Sequence, residues 1–163
     1  MLPRLNFPKY ERTMLTNDDV KNYLYENIPI TKHLGVEVKE YSDLSLKLSA
    51  PIKNNINHRE SAFGGSISSL VILSGWTLLH LKLLEAGIDC HLVIQKSTTD
   101  FMLPAYSDFE TECKIPNEDV WDVFQYMFEK KNKSRIILKS QVSSENKIIG
   151  SHEGVYVALD IHK

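Results

Sequence analysis

The chain has 163 residues, 42% of them hydrophobic and 25% charged, a length and balance that suit one folded domain and exclude a disordered or low-complexity protein. With 19 basic and 21 acidic side chains the formal net charge is -2, so no overall positive field is present to hold a nucleic acid. The six histidines and two cysteines show no CxxC, HxH or HExxH spacing, so no metal site is expected. Cys90 and Cys113 read as free thiols of core strands.

Residues 1–15 form a polar tail, and residues 16–163 a single domain without internal repeats or a Gly/Ser linker. Met1 to Arg12 mixes Pro, Arg, Lys and Glu with no continuous apolar stretch, which predicts no secretory leader and a cytoplasmic location. Thr16 or Asn17 can cap a short helix that runs to about Glu26, with Asp18 and Asp19 in its first turn and Pro29 closing it. From Val36 to Ala50 apolar and polar residues alternate, predicting a half-buried hairpin that turns at Ser42-Asp43.

Pro51 to Gly65 reads as a polar, irregular loop ending in Gly64-Gly65-Ser66. The longest helix signal follows, from Ser66 to about Ala86, with Gly87 as its stop. It carries no formal charge from Ser66 to Leu81, the mark of a helix buried on all sides. Its apolar stretch, Ile67 to Leu84, is interrupted by Ser68, Ser69, Ser74, Thr77, His80 and Lys82, which argues against a membrane span. Trp76, Leu79 and Leu83 are expected in the core.

Strand patterns occupy Cys90 to Leu103, Asp108 to Ile115, Ser134 to Ser143 and Lys147 to Leu159. Between the second and third of these, Asn117 can cap a helix with Val120, Phe124 and Phe128 on one face, acidic residues first and Lys130 and Lys131 last. Helix, two strands, long helix, two strands, helix, two strands describes an α+β protein with an antiparallel sheet and one buried helix.

This layout, with a helix opening from a Gly-Gly loop, resembles the hotdog fold, an antiparallel sheet wrapped around one long buried central helix. The loop Asn55-Ile56-Asn57-His58-Arg59-Glu60-Ser61-Ala62-Phe63-Gly64-Gly65-Ser66, followed by Gly75-Trp76, is similar to that of the YiiD C-terminal thioesterase-type domain and its stand-alone relatives, which include malonyl-acyl-carrier-protein decarboxylases. The resemblance runs from about Ile28 to Leu159. It implies an enzyme of acyl thioesters, with acyl-CoA or an acyl carrier protein as partner, a homodimer, and a site made between subunits. No separate cofactor is implied, since coenzyme A or phosphopantetheine enters as part of the substrate. By the same resemblance Asn57 is catalytic and Ser61 occupies a position where Thr is typical. The acetyltransferase-like domain of fused relatives is absent from this sequence.

A thioester oxygen gains negative charge whether water attacks the carbonyl or the adjacent carbon loses carbon dioxide. Free N-H groups at a helix start, with Gly64 and Gly65 letting a ligand approach and Ser66 adding a hydroxyl, suit that oxygen. Hydrolysis also needs a base, and the helix offers no carboxylate where related hydrolases carry one; Phe63 stands where some carry His. The residues therefore favour decarboxylation of a malonyl thioester. Hydrolysis by an acyl thioesterase and non-catalytic binding of an acyl thioester stay open as alternatives. His58 and Glu60 are secondary candidates for a base, and Asp100, Asp108 or His152 could supply one from a partner subunit. Lys131, Lys133 and Arg135 are candidate contacts for the phosphates of coenzyme A or an acidic carrier. Each has a plainer alternative: Asn57 as a turn residue, His58 as a hydrogen-bonding residue, Glu60 as a solvated charge, and the basic run as a helix end.

Overall fold

The computed structural model describes residues Leu15–Asp160; of the expected 1–15 tail, all but Leu15 lies outside the described residues. Helix α1 spans Asn17–Asn27 and is capped by Thr16, whose side chain accepts from the Asp19 amide while Asp19 in turn accepts from the Thr16 amide. Pro29 ends this helix and also starts a short one that the sequence reading lacks, α2, Ile30–Leu34, which Gly35 terminates in the left-handed conformation at φ 69°.

The first hairpin pairs β1, Glu37–Ser42, with β2, Ser45–Ala50. Ser42 faces Ser45, so the turn is Asp43-Leu44, one residue later than expected. Helix α3 covers Gly64–Glu85, which brings the Gly-Gly pair into its first turn. Then come β3, His91–Phe101; β4, Phe109–Lys114; α4, Glu118–Lys131, capped by Asn117; β5, Lys133–Ser144; and β6, Lys147–Leu159. Trp121 joins Phe124 and Phe128 in the buried face of α4, and Val120 is half-buried beside them. Cys113 is a buried free thiol of β4, whereas Cys90 lies just ahead of β3 and is half-buried.

All neighbouring strands run antiparallel in one six-stranded sheet, ordered β1-β2-β4-β5-β6-β3. Strand alternation decides what meets the helix: Leu46 and Leu48, Thr111 and Cys113, Ile136 and Leu138, and His152 and Tyr156 are buried, while Lys133, Arg135 and Lys139 point outward. Leu70, Leu78 and Leu79 of α3 are fully buried. By length and composition α3 could cross a membrane, yet most of its apolar window is the protein core. Lys82 ends the uncharged stretch and extends to Asp43 at 2.6 Å.

Gly75 and Trp76 sit where packing is closest. The Tyr156 ring occupies the space a Cβ on Gly75 would take, and its hydroxyl donates to the Ile72 carbonyl at 3.0 Å. Trp76 donates its Nε1 proton to the Leu92 carbonyl at 2.9 Å and lines a groove, so its position is half-buried at the rim of the core. Its ring stacks on His80, which also stacks on Tyr23; burial pushes the His80 imidazole down to about 4.

Candidate active site

The loop before α3 is held from both sides. Asn55, only 2% exposed, donates its side-chain amide to the carbonyls of Leu34 and Pro51, both at 2.8 Å, and accepts the Phe63 amide at 2.7 Å. Ala62 donates to the Ala105 carbonyl at 2.8 Å, which ties the loop to the segment after β3. Between these pins the chain makes a small hairpin bridged at Ile56 and Ala62.

Asn57 builds the tip of that hairpin. Its Oδ1 accepts the Arg59 amide at 2.7 Å, its Nδ2 donates to the Ser61 hydroxyl at 3.0 Å, and its backbone N-H donates to the Ser61 carbonyl at 2.8 Å. The structure therefore brings the two candidate catalytic residues into direct contact. One Nδ2 hydrogen of Asn57 is used in this pair and the other is not, while the Ser61 hydroxyl, accepting here, keeps its own proton to donate. Asn57 thus also has the turn role: it closes an Asx turn, and Glu60 completes it at φ 61°.

Past Ser61 the chain enters α3 through Phe63, an N-cap without a side-chain cap. The amides of Ser66 and Ile67 bond back to the Phe63 carbonyl at 2.9 and 3.1 Å, whereas those of Gly64 and Gly65 have no acceptor among the described residues. Two donors at the positive end of a 22-residue helix are left for a ligand. Ser66, by contrast, is buried within the first turn.

Gly64 opens on a cleft of about 330 Å³, walled by Ala62 and Ile67 on one side and by Phe101 to Ala105 on the other. No lining residue carries a charge. On the other side of α3, an apolar groove of about 300 Å³ lies between α2 and Ser69, Ile72 and Trp76. The segment Phe101 to Ala105 is the part of the site that the sequence reading missed. It lies some 40 positions from Gly64, and the sequence reading took Phe101-Met102-Leu103 as the end of a strand running to Leu103, whereas β3 ends at Phe101 and the apolar run continues past it.

The remaining candidates scatter. His58 and Glu60 are exposed on the hairpin and hold no hydrogen-bond partner that would aim them at the cleft. Asp108 accepts the Ile52 amide at 2.8 Å, a structural role in the turn after β2, and Asp100 is exposed on β3 opposite Ser151. His152 is buried, with Nε2 at 2.9 Å from the Ser97 hydroxyl and Nδ1 without a hydrogen-bond partner among the described residues; burial holds its imidazole below the usual histidine range. Lys131, Lys133 and Arg135 are exposed but not beside the cleft. Lys133 pairs with Leu159, whereas Phe101 pairs with Gly150 and Gly150 with Val142, nine residues further along β5 or ~30 Å. Basic residues adjacent in sequence to a helix end thus fall at the far end of the sheet.

An antiparallel sheet around one apolar helix, with free amides at the helix start and an uncharged cleft beside Gly64, defines a hotdog-fold protein of the thioesterase superfamily. The chain belongs to the family described as "Putative thioesterase (yiiD_Cterm)", which matches residues 17–160. Solved structures carry the same fold. A protein of unknown function from Chlorobaculum tepidum is 29% identical, with a TM-score of 0.82 over 90% of this chain and 98% of its own. A "putative thioesterase" from Shewanella oneidensis is 22% identical, with a TM-score of 0.78 over 88% and 96%. A protein of unknown function from Pseudomonas aeruginosa is 19% identical, also with a TM-score of 0.78, over 89% and 96%.

Proposed function

We propose that this protein decarboxylates a malonyl thioester of coenzyme A or an acyl carrier protein. The observation that carries this reading is the unsatisfied amide of Gly64, with that of Gly65 next to it in the same helix turn, beside a cleft that Gly64 lines and that lacks any charged or titratable lining residue. The bond between C2 and the carboxylate breaks, its electron pair moves into the enolate, and carbon dioxide leaves. The enolate oxygen is held by the helix amides with Asn57 and Ser61 nearby, and a proton from water then restores C2 as the methyl of an acetyl thioester. No protein base takes part. A carboxylate without a cationic partner in an apolar cleft is also destabilised relative to neutral carbon dioxide.

Hydrolysis is the second reading. It draws on the Shewanella relative's description and on the apolar groove beyond Ser69, which suits a longer acyl chain. Malonyl and acetyl thioesters on both carriers, incubated separately and followed by mass spectrometry, distinguish the two. The expected result is acetyl thioester from the malonyl substrate and no thiol from the acetyl one. Malonate plus free thiol would establish hydrolysis instead, and binding without turnover a carrier role.

The enzyme is further proposed to be a cytoplasmic homodimer joined through β3. Helix α1 guards the opposite sheet edge, where Asn17 donates to the Lys39 carbonyl and Lys21 pairs with Glu37. Strand β3 leaves an 11-residue outer edge unpaired, and Phe101, Met102, Leu103 and Tyr106 lie exposed at its end beside the cleft. Light scattering should give twice the chain mass at micromolar concentration. A fully active monomer would overturn the dimer.

A further inference from the structure

Two aromatic rings lie against the two glycines that carry the free amides. The Phe63 ring is folded back over Gly65, into the space a Cβ would fill, and the Phe101 ring lies 3.5 Å from the Cβ position of Gly64. The two residues come from different elements, the α3 N-cap and the end of β3, and both rings are largely uncovered, at 55% and 56% exposure. Neither adds to the core of the chain; Phe101 lies at the end of the β3 edge proposed for the dimer, but Phe63 lies off that edge, so pairing of β3 does not explain why both rings meet the two glycines at one helix end. Phe63 stands where some hydrolases carry His, and its ring lies on a backbone glycine of the candidate site.

We propose that Phe63 and Phe101 form an aromatic clamp on the Gly64–Gly65 amides that keeps water from the thioester carbonyl and so sets the partition between carbon dioxide loss and hydrolysis. This rests on the decarboxylase reading and assigns two specificity-determining side chains to it. Amide donors hold an enolate oxygen far better where water does not compete and the local dielectric is low. The same exclusion withholds the nucleophile that hydrolysis requires. A side chain at position 65 would displace the exposed Phe63 ring from its place over the glycine, whereas position 64 has room for a methyl group.

The test compares Phe63→Ala, Phe101→Ala and Gly65→Ala with the native full-length chain on a malonyl thioester, scoring acetyl thioester against malonate plus free thiol. Tyr126→Ala, an exposed aromatic on α4, serves as the control, and circular dichroism checks the fold. Each clamp variant should shift the product ratio toward thiol release at least tenfold, with kcat for carbon dioxide loss falling more than KM rises. Gly65→Ala should match Phe63→Ala without removing the ring, and Tyr126→Ala should leave the ratio unchanged. If the clamp variants slow both products equally, the rings merely support the loop and the proposal fails. If the native chain releases only thiol, the decarboxylase reading fails separately; water exclusion then still requires thiol release to rise in the variants, and a fall overturns the clamp as well.

Discussion

Replacing Asn57 by Asp is expected to lower turnover a hundredfold to a thousandfold while leaving the protein folded. The turn survives because an aspartate oxygen accepts the Arg59 amide as Asn57 Oδ1 does at 2.7 Å. The second oxygen takes the place of Nδ2, 3.0 Å from the Ser61 hydroxyl, which reverses and becomes the donor. What disappears is the second Nδ2 hydrogen and the outward proton of Ser61, and what appears is a negative charge beside a developing one. Loss of one such donor costs about 3 kcal/mol in the transition state, so kcat should fall with little change in KM. Asn57→Ala is the less clean variant, since it also removes the Asx turn at a cost of about 1 kcal/mol. Product analysis and thermal unfolding of both variants give the check. A folded Asn57→Asp protein that keeps or gains thiol release would mean that a carboxylate serves there as a base, and hydrolysis would replace decarboxylation as the reaction.

The largest stability loss is expected from Gly75→Ala. A methyl group on this buried, central-helix glycine collides with the Tyr156 ring and hydroxyl, and Tyr156 is itself completely buried. The ring cannot retreat without breaking its 3.0 Å hydrogen bond to the Ile72 carbonyl, which leaves a buried hydroxyl unsatisfied. Overpacking costs about 1–3 kcal/mol and the orphaned hydroxyl a similar amount, against a helix-propensity gain of about 1 kcal/mol. The net expectation is a loss of about 3 kcal/mol in urea unfolding. Gly64→Ala is the counterpart, because its methyl group meets Phe101 only at ordinary contact distance and should not destabilise the helix. Equal stability for Gly75→Ala and the native chain would show that Tyr156 has another place to go.

Much of the fold was legible because periodicity is a local property. The alternation in Phe109, Thr111 and Cys113 foretold β4, the uncharged stretch from Ser66 to Leu81 foretold the central helix, and Asn117 foretold the start of α4. Misplaced boundaries have local causes too. The Gly-Gly pair looked like a loop by propensity, but the Phe63 carbonyl, accepting from Ser66 and Ile67, draws both glycines into the first turn. Helix α2 is five residues long, too short to show a period, and the left-handed Gly35 that ends it has no Cβ to meet Pro51 and Asn54, which pack against it.

Asn57, Ser61, Gly64 and Gly65 could be named as candidates from the sequence because they share one short loop with a family likeness. The alternation along the strands and the length of the apolar helix settled the fold class as well, since both depend only on neighbours a few residues away. Tertiary structure alone decided the rest. It set Phe101 beside Gly64, turned the Asn57 amide toward Ser61, gave Asp108 a structural hydrogen bond, and carried Arg135 and Lys133 about 20–30 Å along the sheet from the cleft. Strand order and register determine those separations, and both come from pairings between segments tens of residues apart, which no local pattern encodes.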